Sequence, residues 1–114
     1  MTIARAASDQ ARAWLDARRP GPPPELRAHI DAVLAVTGHH DASVVTQLGE
    51  AALRSLAIAI EKCDERAAAI DLLTADALLT YAMEAAAEMG GDALEAAAQA
   101  YGGARIAALI PENA

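Results

Sequence analysis

Between Glu50 and Met89 the chain contains neither glycine nor proline, and nearly every residue there is Ala, Leu, Ile, Glu, Asp, Arg or Met. Such a run leaves the backbone little choice but α-helix. The straight-chain residues keep most of their rotamer freedom in a helix, and no proline withdraws an amide donor or clashes with the preceding turn. The fold class read from this feature is all-α, and the expected architecture is a compact, Ala-rich bundle of four to five helices.

With 114 residues and 11.7 kDa, a second core would leave each half near the lower limit of independent folding, so residues 1–114 read as a single helical domain. Hydrophobic residues make up 54% and charged residues 22%, which excludes general disorder. Much of that apolar content is alanine, phenylalanine is absent, and aromatics are only 3%. Burying an alanine side chain gains far less than the roughly 1.5–3 kcal/mol of a buried Leu or Ile. The core of one copy should therefore be thin, and self-association as a homodimer is the first functional expectation.

The formal net charge is −7, and the nine Lys and Arg residues are scattered, with only Arg18 and Arg19 adjacent. Phosphate backbones are bound by clustered cations that release counterions, so nucleic acid is not an expected partner. Arg5 is not followed by an apolar signal-type region, and no run of 18 apolar residues occurs, so no membrane partner is expected either. A single Cys63 forms no internal disulfide, in keeping with a reducing compartment. The expected location is cytoplasmic.

Arg19-Pro20-Gly21-Pro22-Pro23-Pro24 divides the chain into an N-terminal helical arm (1–19), a stiff extended connector (20–24) and a bundle core (25–110). In the arm, Ile3, Ala7, Ala11, Trp14, Leu15 and Arg18 keep helical spacing, with Trp14 as the anchor. The connector allows the arm to pack on its own body or on a partner. A second helix starts at Pro24 and carries Leu26, Ile30, Val33, Leu34 and Thr37 on one face, with Gly38 as its left-handed cap. Asp41 or Ser43 then caps a third helix, whose apolar side holds Val44, Val45, Leu48, Ala52, Leu56, Ala59, Ile60 and Cys63.

A continuous helix from Glu50 to Met89 would extend about 60 Å, against a radius of gyration near 13 Å for a compact chain of about this length. A break is expected at Glu61-Lys62-Cys63-Asp64-Glu65-Arg66, with Asp64 as the next N-cap; the alternative is one long helix in an extended dimer. The fourth helix, from about Glu65 to Met89, is apolar on two sides. Leu72, Ala75, Leu79, Ala82, Met83 and Ala86 form one stripe, and Ile70, Leu73, Ala77 and Tyr81 the other, which suits a central or interfacial helix. Gly90-Gly91 stops it. Asp92 and Glu95 have the spacing of a capping box for a fifth helix running to about Leu109. Within that helix Gly102-Gly103 allows a close approach or a kink, and Pro111 ends it.

The candidates for chemistry are few. Glu25 and His29 share a helix face, and His39, His40 and Asp41 follow at the far end, but His29 and His39 are about 15 Å apart along a helix axis. His29, His39 and His40 are thus weak metal candidates, and no metal or other cofactor is expected. The Glu-x-x-His pairs of di-iron bundles do not occur, and Glu84 and Glu88 read as surface carboxylates with arginine or water as companions. Asp76 and Arg105 each interrupt an apolar face; one hypothesis is a buried or interfacial Asp76–Arg105 ion pair, set against a reading in which both side chains snorkel to the rim. Cys63 reads as an inert core thiol. No Ser, His and Asp arrangement, phosphate-cradling loop or nucleotide fingerprint is present, and no catalytic residue is assigned.

The segment Ala69-Ile70-Asp71-Leu72-Leu73-Thr74-Ala75-Asp76-Ala77-Leu78-Leu79-Thr80-Tyr81-Ala82-Met83-Glu84 resembles a core helix of the trans-isoprenyl diphosphate synthases, an all-α family with a similar Gly-Asp-Ala-Leu-Leu phrase, in which Ala75 here replaces the glycine. The resemblance implies an inner helix of an all-α fold. The Asp-rich motifs that bind magnesium and diphosphate in that family have no counterpart, so the resemblance implies no catalytic or cofactor-binding residue.

The function expected from these residues is non-catalytic: association with itself or with another protein through Ala- and Leu-lined faces. The anchors are Trp14, Leu72, Leu79, Tyr81 and Met83, since large side chains dominate interfaces. The alternative is a small-molecule-binding bundle, or modest enzyme, with an apolar pocket between helices gated by Asp76, Tyr81 or His29. A regulator or antitoxin-like partner is a third possibility.

Overall fold

A computed structural model describes residues 3–37, 42–62 and 64–111, with side chains in the first helix described from Gln10 onward. Five helices build the bundle: α1 (Ile3–Asp16), α2 (Pro24–Thr37), α3 (Val44–Glu61), α4 (Ala68–Met89) and α5 (Ala93–Tyr101). A five-residue α6 (Gly103–Ala107) follows, and no strand occurs among the described residues. The radius of gyration, 13.9 Å, is that of a compact chain of this length.

The glycine-free run divides as the compactness argument requires. Helix α3 ends at Glu61, Lys62 and residues 64–67 lie outside both helices, and α4 returns antiparallel against α3 in the most extensive helix pairing of the fold. Asp64 does not cap α4. It lies exposed in the turn, and α4 is preceded by Ala67 in helical geometry without a side-chain cap. Ser43 does cap α3: its Oγ accepts from the Thr46 amide at 3.2 Å, while Gln47 Nε2 donates to the Ala42 carbonyl at 2.9 Å. The Asp92/Glu95 capping box is not formed, because Asp92 has φ −89° and ψ 6° and its side chain makes no cap bond. A capping side chain needs the extended backbone that Ser43 has and Asp92 lacks. Gly90 and Gly91, at φ 75° and 59°, supply the left-handed step that ends α4.

Helices α3 and α4 together form the centre of the bundle, and α3 has the more thoroughly buried face. It packs against α1, α2, α4 and α5, and Val45, Gln47, Leu48, Gly49, Ala51, Ala52, Leu53, Ser55 and Ala59 are all buried. Alanines line both sides of the α3–α4 contact (Ala51, Ala52 and Ala59 on one helix, Ala75, Ala82, Ala85 and Ala86 on the other), which lets the two backbones approach closely. Bulk comes from Leu15, Ile30, Leu48 and Leu78, all fully buried. One copy closes a contiguous core, in which these four large side chains from α1, α2, α3 and α4 are set among buried alanines.

The arm packs on its own chain, with Ala11 and Leu15 at 0% and 1% exposure. Helix α5 stops at Tyr101 instead of running to Leu109. Gly102 is extended (φ −91°, ψ −155°), and a Cβ there would collide with the Ala98 carbonyl. Tyr101 is buried against Gly49, where a Cβ would lie 2.5 Å from the phenol ring. The expected Gly38 cap and the Cys63 core thiol lie outside the described residues.

Candidate functional site on the α3–α4 hairpin

The antiparallel pairing of α3 and α4 leaves one long depression open on its outer side. Near the turn, Leu56, Ala59 and Ile60 of α3 face Ala68, Ala69 and Leu72 of α4 across a cleft of about 480 Å³. A second depression of about 160 Å³ continues it toward α6, and the two share Leu56 and Leu72. The cause is local: Ala59, Ala68, Ala69 and Ala75 fill too little volume to close the groove that larger neighbours would cover.

On the exposed side of α4, Leu72 and Leu73 are 55% and 57% accessible. Ala69, Leu72, Asp76 and Thr80 follow at steps of three and four residues and are all exposed, so this stripe is apolar in its first half and polar in its second. Arg66, beside Glu65, lines the groove at the turn end, and Asp76 lines it at the other. Neither Arg66 nor Asp76 makes a side-chain hydrogen bond or ion pair among the described residues. Just beside the stripe, Asp71 is enclosed and lies 3.5 Å from Lys62 Nζ.

The hypothesised Asp76–Arg105 pair is not formed, and the reading with both side chains at the rim holds. Both side chains are exposed, and Arg105 instead reaches Glu50 of α3, with Nη2 3.2 Å from Oε1. The reason is the break at Gly102, which ends the helical phase on which the expectation rests and puts Arg105 on α6, its guanidinium 5.9 Å from the Tyr101 ring. Burial raises the Tyr101 phenol above its ordinary pKa, and a hydrogen bond with Thr46 opposes that rise while Glu50 adds to it.

A second cluster joins the arm to the end of α4. Glu88 accepts from Trp14 Nε1 at 2.9 Å and from Arg18 Nη1 at 2.7 Å. Arg18 stacks over the Trp14 ring at 4.0 Å, and Trp14 meets Tyr81 edge-on at 6.0 Å. The Arg18 hydrogen bond and then the indole bond hold Glu88 below the usual carboxylate range. Beside this cluster lies a cleft of about 670 Å³ lined by Arg18, Arg19, Asp76, Thr80, Tyr81 and Glu84. Burial and Glu84 raise the Tyr81 phenol, against the opposing pull of Arg18 and Arg27. Arg19 is committed to the Asp16 and Arg18 carbonyls, each at 2.7 Å.

Asp76 and Tyr81 thus share a cleft, whose lining mixes polar and apolar groups; the apolar depression between the helices has Asp76 in its lining but not Tyr81. His29 is partly buried on α2 and lines neither. Leu72 and Leu79 line the hairpin groove, and Trp14 and Met83 pack against the core. His39 and His40 lie outside the described residues, and no group of three metal-ligating side chains occurs among the described ones. No described helix is long and apolar enough to cross a membrane. Sequence reading does not single out Arg66, or the double role of Glu88. Arg66 stands apart from most of the arginines only in having no partner within reach, which a one-dimensional pattern does not display.

Comparison of the chain with protein-family models, with curated proteins and with solved structures gave no significant match. The segment resembling a prenyl-synthase helix lies within α4, with Thr74, Ala75, Leu78 and Ala82 buried and Leu72 and Leu73 exposed.

Proposed function

We propose that this chain works by association, with a second copy of itself seated on the outer face of the α3–α4 hairpin. The observation that supports the reading is the pair of half-exposed leucines, Leu72 and Leu73, beside a groove already lined by Leu56, Ala59 and Ile60. Burial of apolar surface is favourable by about 25 cal/mol per Å², and a contiguous apolar patch with charged ends has the composition of an interface centre with its rim. Light scattering coupled to size exclusion tests it. The parent chain should run at about twice its 11.7 kDa mass at micromolar concentration, and Leu72→Asp should run as a monomer with unchanged helical circular dichroism. A parent chain that stays monomeric up to hundreds of micromolar removes the proposal.

The cleft beside the arm favours a second reading, a site for a small polar molecule between Arg18, Asp76, Tyr81 and Glu84. Native mass spectrometry of the purified protein tests that reading, which requires a co-purified mass that Tyr81→Ala releases.

A further inference from the structure

The N-terminal arm is fastened to the bundle along one narrow stripe. From Gln10 onward, Ala11 and Leu15 are fully buried and Arg12, Trp14 and Arg18 partly so, while Gln10, Ala13, Asp16 and Ala17 are exposed. Its ion pairs lie where water reaches them. Arg18 pairs with Glu88 of α4, Arg27 of α2 with Asp16, and Arg12 with Asp31, and the three carboxylates are 50%, 68% and 36% exposed. Such pairs are individually weak and are screened by salt. Arg18 Nε is enclosed without a hydrogen-bond partner among the described residues, so the closed arm carries one unsatisfied donor. The connector behind it adds no hold. Residues 19–24 are exposed apart from a partly buried Pro22, and prolines at 20, 22 and 23 remove three amide donors. Among the described residues no main-chain hydrogen bond ties residues 19–22 to the bundle. The Arg19 side chain bonds the Asp16 and Arg18 carbonyls, at the arm's own end.

We infer that the arm is a strap that opens as one unit: residues 3–18 lift off by turning on the connector at 19–23 while α2 to α5 stay folded, and Glu88, gripping Trp14 and Arg18, is the clasp that keeps it shut. The clasp sits directly beside the hinge, so the connector cannot turn until the Arg18 and Trp14 bonds to Glu88 break. A helix of 14 residues is marginal by itself in water, so the lifted arm also unwinds. The other helices keep their own core, because Ile30, Leu34, Leu48, Leu78 and Tyr101, drawn from α2 to α5, are buried in one cluster. Lifting the arm gives up the burial of one leucine, one alanine and part of a tryptophan, far less apolar area than global unfolding exposes. The strap is also one wall of two clefts. Trp14 lines an apolar cleft of about 310 Å³ with Val44, Val45, Ala85 and Met89, and Arg18, Arg19 and Pro20 face α4 across the cleft of about 670 Å³. Opening dismantles both, and a molecule seated in either therefore favours the closed strap.

Hydrogen exchange of the intact chain, read by mass spectrometry on peptic fragments at rising sub-denaturing urea, is the test. In the parent, the amides of residues 11–18 should exchange together and at least about tenfold faster than those on the inner face of α3. Their rate should depend only shallowly on urea, because lifting the strap exposes little surface. Fraying from the chain end gives a gradient along the arm instead, with residues 11–18 as protected as α3, and that result overturns the strap. Glu88 is exposed, so Glu88→Gln should keep its helical circular dichroism and speed exchange of residues 11–18 at least about threefold. Tyr101→Leu strikes the core on α5, outside the arm's main contacts. It should speed α3 exchange at least about tenfold and leave residues 11–18 within about twofold of the parent. If residues 11–18 share the rate and urea slope of α3, or follow α3 in Tyr101→Leu, the arm opens only with the whole bundle and the proposal is lost. An arm rate unchanged in Glu88→Gln overturns the clasp. Should Tyr101→Leu fail to fold, the urea series on the parent still decides.

Discussion

Single side chains carry much of the logic of this fold, and Glu88 is the one with the most consequence. One carboxylate accepts from both the indole and the guanidinium of the arm, so Glu88→Gln should release Arg18 and move Trp14 emission to longer wavelength. The pH dependence has a definite sign. Glu88 is held below its ordinary pKa of 4.5, so its stabilising effect is complete above that value and is lost as pH falls through the lower folded-state value. Trp14 emission should therefore shift in acid below about pH 4.5 in the parent, and much less in Glu88→Gln. Gly49 illustrates an opposite constraint. Alanine in a helix interior is ordinarily favoured over glycine by about 1 kcal/mol, but here a methyl would press on the buried Tyr101 ring. Overpacking costs about 1–3 kcal/mol, so Gly49→Ala should lower stability in urea unfolding in spite of its better propensity.

At the level of elements, the outcome turns on which helix face each residue occupies. Leu78 and Leu72 belong to the same helix, yet one is fully buried and the other is 55% exposed. Leu78→Ala should cost about 2–5 kcal/mol of unfolding free energy, whereas Leu72→Ala should cost under about 0.5 kcal/mol under monomeric conditions. Helix identity is legible in the sequence because it is set by local propensity and breakers: the arm, the proline connector, the break near Glu61 and the glycine stop after Met89 are all where those signals lie. Ser43 is legible as a cap for the same reason. What fails is inference across a disturbed helical phase. Counting through Gly102 assigns Arg105 a face, and the extended backbone there cancels the count. Asp64 and Asp92 carry the correct side chain for a cap but make no cap bond, and at Asp92 the backbone does not aim it. The candidate site is partly legible: Leu72, Leu79 and Asp76 stand out by breaking or filling a stripe, whereas Arg66 acquires its meaning only when α3 and α4 are folded side by side.

For the whole molecule, composition suggests a core too sparse to stand alone, and in the structure large side chains from four helices are set among buried alanines. What one copy leaves uncovered includes the leucine-lined hairpin face. If a second copy covers that face, the thermal midpoint should rise with protein concentration, because association stabilises the folded state by mass action. A midpoint that stays constant over a roughly hundredfold concentration range would speak for a lone folded unit. The position of α3 carries a further implication. With four other helices packed on it, the amide protons on its inner face are covered by the rest of the bundle. Their deuterium uptake should be the slowest in the molecule and should report global opening, while the five-residue α6, none of whose residues is fully buried, exchanges early.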